Sequence, residues 1–216
     1  GIVWYRLGFS TLCSAGRVLA DHWKFWLVVG FLMFGGFATL CFAASYSPPW
    51  IIAATFQLNI VATLAVLPFF GKAVPVRGRI FAVIVVIGAI LANLEHAEVS
   101  DGKKLVLGAI PVLVSAATLP FLYQLVAETN PRSNIRWIPH ISHPLMRSTD
   151  SRLLLLLLAS LPWVAALVAI TRPPAPTTMQ LWYSVPNALI SGLGALLLYT
   201  HVRLSVKDPY QIAAIE

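Results

Sequence analysis

Apolar residues in this chain run on for about the width of a membrane, stop at a short polar segment, and begin again. Six such stretches are complete: 25–45, 50–71, 80–94, 105–127, 153–171 and 181–202. A helix rises 1.5 Å per residue, so ~20 apolar residues cross a bilayer core of ~30 Å. Most of the six meet that length. The stretch 80–94 is short and is expected to thin the bilayer or to borrow flanking residues. Another apolar stretch, at 1–12, is interrupted by Arg6 and reads as the tail of an earlier span.

The polar segments alternate in charge. Segments 1–24, 72–79, 128–152 and 203–208 hold twelve of the 15 Lys and Arg residues, whereas 46–49, 95–104 and 172–180 hold three. Basic loops stay on the cytoplasmic side, so 72–79 and 128–152 are expected inside and 95–104 outside. That describes a multi-pass protein of the plasma (inner) membrane. Trp23, Trp26, Tyr46, Trp50, Trp182 and Tyr183 lie near span ends, where amphipathic rings favour the headgroup level.

Composition narrows the class. The chain is 58% hydrophobic and only 11% charged, when soluble domains carry about 25% charged residues. A net charge of +7 would otherwise point to nucleic acid. Here the basic residues flank apolar spans, so the lipid bilayer is the expected partner and no nucleic-acid partner is needed. Cys13 and Cys41 form no disulfide framework or zinc pattern, and Cys41 is expected as a small buried hydrophobe within its span. His140 and His143 in PHISHP have no cysteine or carboxylate close by, so no metal centre or cofactor is expected. The acidic cluster Glu95, Glu98 and Asp101 reads as a solvated outer loop. There is no GxSxG, HExxH or P-loop pattern, so the expectation is a protein that is not an enzyme. An intramembrane enzyme would need catalytic groups from outside this sequence.

One short stretch occurs twice. Pro49-Trp50-Ile51-Ile52-Ala53-Ala54 reads against Pro209-Tyr210-Gln211-Ile212-Ala213-Ala214, 160 residues later. By the charge pattern the first copy enters the membrane from outside and the second from the cytoplasm. The preceding spans, 25–45 and 181–202, are five apart in order, and each carries close glycines, Gly35 with Gly36 and Gly192 with Gly194. An odd number of spans per copy inverts the second, which is the architecture of secondary transporters.

These residues resemble the drug/metabolite transporter superfamily, and within it the multidrug resistance efflux transporter branch. The likeness rests on GGFATLCFAASYSPPWIIAATFQLNIVATLAVLPFF (35–70), RGRIFAVIVVIGAILANL (77–94) and SGLGALLLYTHVRLSVKDPYQIAAIE (191–216). The resemblance implies an all-α polytopic membrane protein with an inverted five-plus-five transmembrane helix repeat. Residues 1–94 would end the first repeat and 105–216 begin the second, with the chain truncated at both ends. It also implies a permease exporting small organic molecules or drugs, coupled to an ion such as a proton or sodium. Relatives of this fold that carry metabolites or lipids keep those substrates in view.

No ionisable side chain lies well inside a complete span, where each costs roughly 2.5–3.5 kcal/mol. Neutral polar groups remain. Trp50 and Gln57 are seven residues apart and share a helix face, while Asn59 is turned ~200° from Gln57 toward a neighbouring helix. An outward amide in lipid lacks partners. Two readings stay open: Trp50 and Gln57 line a substrate cavity, or Gln57 makes an interhelical hydrogen bond. Tyr183, Asn187 and Ser191 form a stripe at four-residue spacing beside Pro186. Tyr123 and Gln124 follow Pro111 and Pro120, and each proline frees a backbone carbonyl. The expected substrate-binding set is therefore Trp50, Gln57, Tyr123, Gln124, Tyr183 and Asn187. Such an aromatic-and-amide lining suits amphipathic or cationic molecules, at about 0.5–2 kcal/mol per ring. The four glycines are expected to let helices cross closely.

Overall fold

A computed structural model describes residues 9–74, 76–97, 102–129, 135–147 and 149–190. Every regular element among them is helical. The helices are α1 (Phe9–Asp21), α2 (Trp23–Ala43), α3 (Pro49–Phe56), α4 (Leu58–Val66), α5 (Val76–Ala97), α6 (Gly102–Ala127) and α7 (Thr149–Thr171). Residues 178–190 form a further helix, α8. Among the described residues, four stretches are long and apolar enough to cross a membrane: Trp23–Ala43, Pro49–Phe70, Val106–Ala127 and Ser151–Thr171. The short apolar stretch 80–94 lies within the 22-residue α5. At 1.5 Å per residue that helix is ~33 Å long. It is not one of the four, and its flanks bring in the charged residues Arg77, Arg79 and Glu95. The predicted span 181–202 is described only to residue 190, and the second copy of the repeated stretch lies outside the described residues.

The span Pro49–Phe70 begins with proline in the first helical turn, where its missing N–H costs nothing. It ends at Gly71, whose φ of 68° is left-handed. There Gly71 N–H donates to Pro68 O and Lys72 N–H to Leu67 O, both at 3.0 Å. This is a Schellman stop, and it turns the chain so that Lys72 faces back toward α6.

Packing sets the direction of the helices. Phe25, Val28 and Leu125 share one groove, Gly36 meets Leu119, and Ser47 meets Gly108. α2 and α6 are therefore antiparallel. The span Pro49–Phe70 runs parallel to α6, since Lys72 joins Gln124 and Glu128 at its far end. α5 returns against it, with Arg79 and Ala82 beside Ala65 and Pro68. Residues 22–25, 71–74, 76–79, 124–129 and 135–139 consequently gather at one end, where Lys24, Lys72, Arg77, Arg79 and Arg136 lie. The charge alternation in the sequence becomes a basic end and an opposite end in space.

Without a hydrophobic force between helices in lipid, association depends on close approach and packing. A Cβ on Gly30 would run into the carbonyl of Ala159, so α2 and α7 touch backbone to backbone there. Gly36 fits against the side chain of Leu119, whereas Gly35 faces open space. Only one of that glycine pair makes a helix crossing. Gly192 and Gly194 lie outside the described residues.

Several expectations change. Cys41 is exposed, as is Cys13, because an apolar residue of a membrane helix faces lipid as readily as core. Trp26 does not join an interfacial belt; it is 2% exposed and central to the core. Trp23, Trp50, Trp182 and Tyr183 are exposed, in keeping with that belt. Within the basic segment, Ile138, Ile141 and Met146 plug the core at the basic end. Ile141 N–H donates to Thr129 O at 2.9 Å, which pins the loop across the end of α6. Within the region predicted as a basic segment or an earlier tail, α1 is an amphipathic helix that buries Ala15 and Val18.

Candidate functional site

The proline-bearing helix α6 is continuous despite Pro111 and Pro120. The break falls elsewhere, at Gln57, between α3 and α4. Ile60 N–H donates to Gln57 O at 3.1 Å, a three-residue step in place of the helical four. Counting from Pro49, this irregular turn lies close to the middle of its span. Discontinuous helices place backbone polar groups at mid-membrane, which lipid tolerates only against protein or a water-filled cavity.

The two faces of this broken span differ. Thr55, Asn59 and Thr63 repeat every four residues and are all buried. Thr63 Oγ1 donates to Asn59 O at 2.8 Å, satisfying its hydroxyl within the helix. Asn59 is therefore the packed amide that its rotation from Gln57 predicts. On the other side Gln57 is exposed and Trp50 is 51% exposed. An amide there needs a cavity or another protein surface.

The remaining candidates lie apart from these two. Tyr123 packs against the core near the basic end of α6. Gln124 is buried, and its Oε1 accepts a hydrogen bond from Lys72 Nζ at 2.9 Å. Trp50 stands at the opposite end of a span parallel to α6, so Trp50 and Gln124 are separated by most of its ~33 Å length. Tyr183 and Asn187 are exposed on α8, which starts with a reciprocal cap. There Thr177 N–H donates to Gln180 Oε1, and Gln180 N–H to Thr177 Oγ1. Among the described residues the six candidates do not share one pocket.

Sequence reasoning missed a groove at the basic end, ≈ 630 Å³ in volume, where α1, α2, α6 and the 135–147 loop meet. Trp23, Phe25 and Trp137 supply aromatic walls, and Asp21, His22 and Lys24 supply polar groups. Trp137 is brought in from the loop by stacking near Phe70, with ring centroids 6.1 Å apart. Rings beside a carboxylate can accept a planar or cationic organic molecule. No pattern in the sequence links Asp21 to Trp137, because 116 residues and a loop–core contact separate them. His143 serves the loop, as its Nδ1 accepts the N–H of Leu145 at 3.2 Å.

Residues 2–216 match the family model EmrE, "Putative multidrug resistance efflux transporter". Two bacterial proteins are similar along nearly the whole chain. The Uncharacterized protein YjlA of Bacillus subtilis is 32% identical, with all of this chain and 67% of that protein covered. The Uncharacterized 42.1 kDa protein in intracellular alkaline protease 3'region of Shouchella clausii is 31% identical, over 92% of this chain and 51% of that protein. The chain thus spans about two thirds of one relative and half of the other. No solved structure matches it significantly.

Proposed function

We propose that this chain, which belongs to the multidrug resistance efflux transporter family, forms part of a secondary transporter that exports small organic molecules across the plasma membrane. The carrying observation is the irregular turn at Gln57, where an exposed amide stands on the face opposite the buried Thr55, Asn59 and Thr63. A transport path needs polar groups at that depth, and an exposed amide there supplies one. The groove between Trp23, Phe25 and Trp137 supports an entry point from the basic end, which the positive-inside rule assigns to the cytoplasm. The inverted repeat read from the sequence fits alternating access, with a proton or sodium ion as the coupling partner.

The test is flux in proteoliposomes prepared from the full-length protein. Gln57→Ala is expected to reduce flux per folded molecule at least ~10-fold with little loss of melting temperature, because a solvated cavity replaces the lost amide. If Gln57 instead ties helices together, its loss costs about 0.6–2 kcal/mol of stability. Lower stability with unchanged flux per folded molecule would remove Gln57 from the path.

A further inference from the structure

An open groove of ≈ 520 Å³ lies between α4 and α5 at the basic end, apart from the aromatic groove. Its floor is apolar, formed by Val61, Leu64 and Ala65 on α4 and Ala82 on α5. Lys72 and Arg79 also line it, and among the described residues no carboxylate does, Glu128 meeting Lys72 from the α6 side. Neither cation is fully used. Lys72 gives two of its three ammonium donors to Glu128 and Gln124. Arg79 gives one of its five to Val74 O, at 3.2 Å.

An apolar slot beside spare cationic donors matches an acyl chain that ends in a phosphate. A soluble anion would gain nothing from the floor. A zwitterionic lipid would bring its own cation up to Arg79. The positive-inside rule places this end in the cytoplasm, whose leaflet carries the anionic lipids. We propose that the groove holds one anionic glycerophospholipid, with its phosphate at Arg79 and Lys72 and an acyl chain along Val61, Leu64 and Ala82. The site lies apart from the proposed transport path and rests on the chain's being embedded in a membrane with its basic end in the cytoplasm.

The test is native mass spectrometry of the delipidated full-length protein, titrated with phosphatidylglycerol, phosphatidylcholine or inorganic phosphate. One phosphatidylglycerol is expected to bind, phosphatidylcholine is not, and excess phosphate should not compete. Arg79→Gln is expected to weaken binding about fivefold, the effect of one basic residue at a membrane surface. Ala82→Trp fills the floor without changing charge and should abolish the bound lipid. Arg136→Gln, at the same end but outside the groove, should leave binding unchanged. Helix content by circular dichroism checks that each variant is folded, and Lys72 is left intact because of its pair with Glu128. Equal retention of both lipids would overturn the proposal, as would equal losses in Arg79→Gln and Arg136→Gln. Undiminished binding by Ala82→Trp, or displacement by phosphate, would overturn it too.

Discussion

Lys72 Nζ lies 2.7 Å from Glu128 Oε1, joining residues 56 positions apart at the ends of two parallel spans. The same ammonium donates to Gln124 Oε1, so one cation closes both helices at the basic end. The Glu128 side chain is only 13% exposed, which spares the pair much of the screening that weakens surface ion pairs. Lys72→Glu and Glu128→Lys are each expected to destabilise the protein in detergent by about 1–3 kcal/mol. The double reversal should recover much of that loss. Thermal melts of the three variants measure it, and no recovery in the double variant would mean that the pair is incidental.

Three glycines of α2 give a graded test of helix contact. Gly30 has the Ala159 backbone against it, and backbone cannot move aside. Gly30→Ala is therefore expected to cost about 1–3 kcal/mol or more, as overpacked cores do. A Cβ on Gly36 would meet side chains alone, Leu119 at 3.0 Å and Ser115 at 3.8 Å, which give way more easily than backbone. Substituting Gly36 should cost less. A Cβ on Gly35 would meet nothing within 4 Å, so Gly35→Ala should be neutral or gain up to about 1 kcal/mol in helix propensity. Melting temperatures ordered Gly35→Ala, then Gly36→Ala, then Gly30→Ala from highest to lowest would bear out the packing.

Gly71 tests backbone conformation without packing. Nothing lies near its missing side chain, yet its φ is 68°. Gly71→Ala is expected to destabilise by about 1–2 kcal/mol from the left-handed conformation alone. Gly71→Asn should lose less, since asparagine tolerates that region. If both variants melt like the parent, the Schellman stop does not set the position of Lys72.

The span positions and the basic end were legible because lipid imposes length and charge rules that act residue by residue. Stretches 25–45, 105–127 and 153–171 differ from the helices by only a few residues at their ends. Which face of each helix meets protein was not legible. Both faces are apolar in a membrane, so Cys41 and Trp26 carry no mark of being outward and inward respectively. The opposition of Gln57 and Asn59 was legible from helix geometry, but the break at Gln57 was not, since prolines elsewhere looked like better candidates. The groove around Asp21 and Trp137 depends on a loop folding back onto the core, and local pattern does not encode that contact.

The direction of the bundle across the membrane can be measured at two serines. Ser45 is exposed just past the end of α2, and Ser142 is exposed in the loop that covers the basic end. The packing places them at opposite ends, since α2 runs away from the end where the 135–147 loop sits on Leu125 and Val126. Cys13 and Cys41 are both exposed and unpaired, so replacing them with serine leaves a clean background without breaking a bond. In that background the positive-inside rule puts Ser142 in the cytoplasm and Ser45 outside. A membrane-impermeant maleimide applied to intact spheroplasts should label Ser45→Cys and spare Ser142→Cys until the membrane is opened. The opposite pattern would turn the bundle over and move the proposed lipid groove to the outer leaflet. Labelling of both in intact cells would place both residues on one side, which the antiparallel packing of α2 and α6 does not allow.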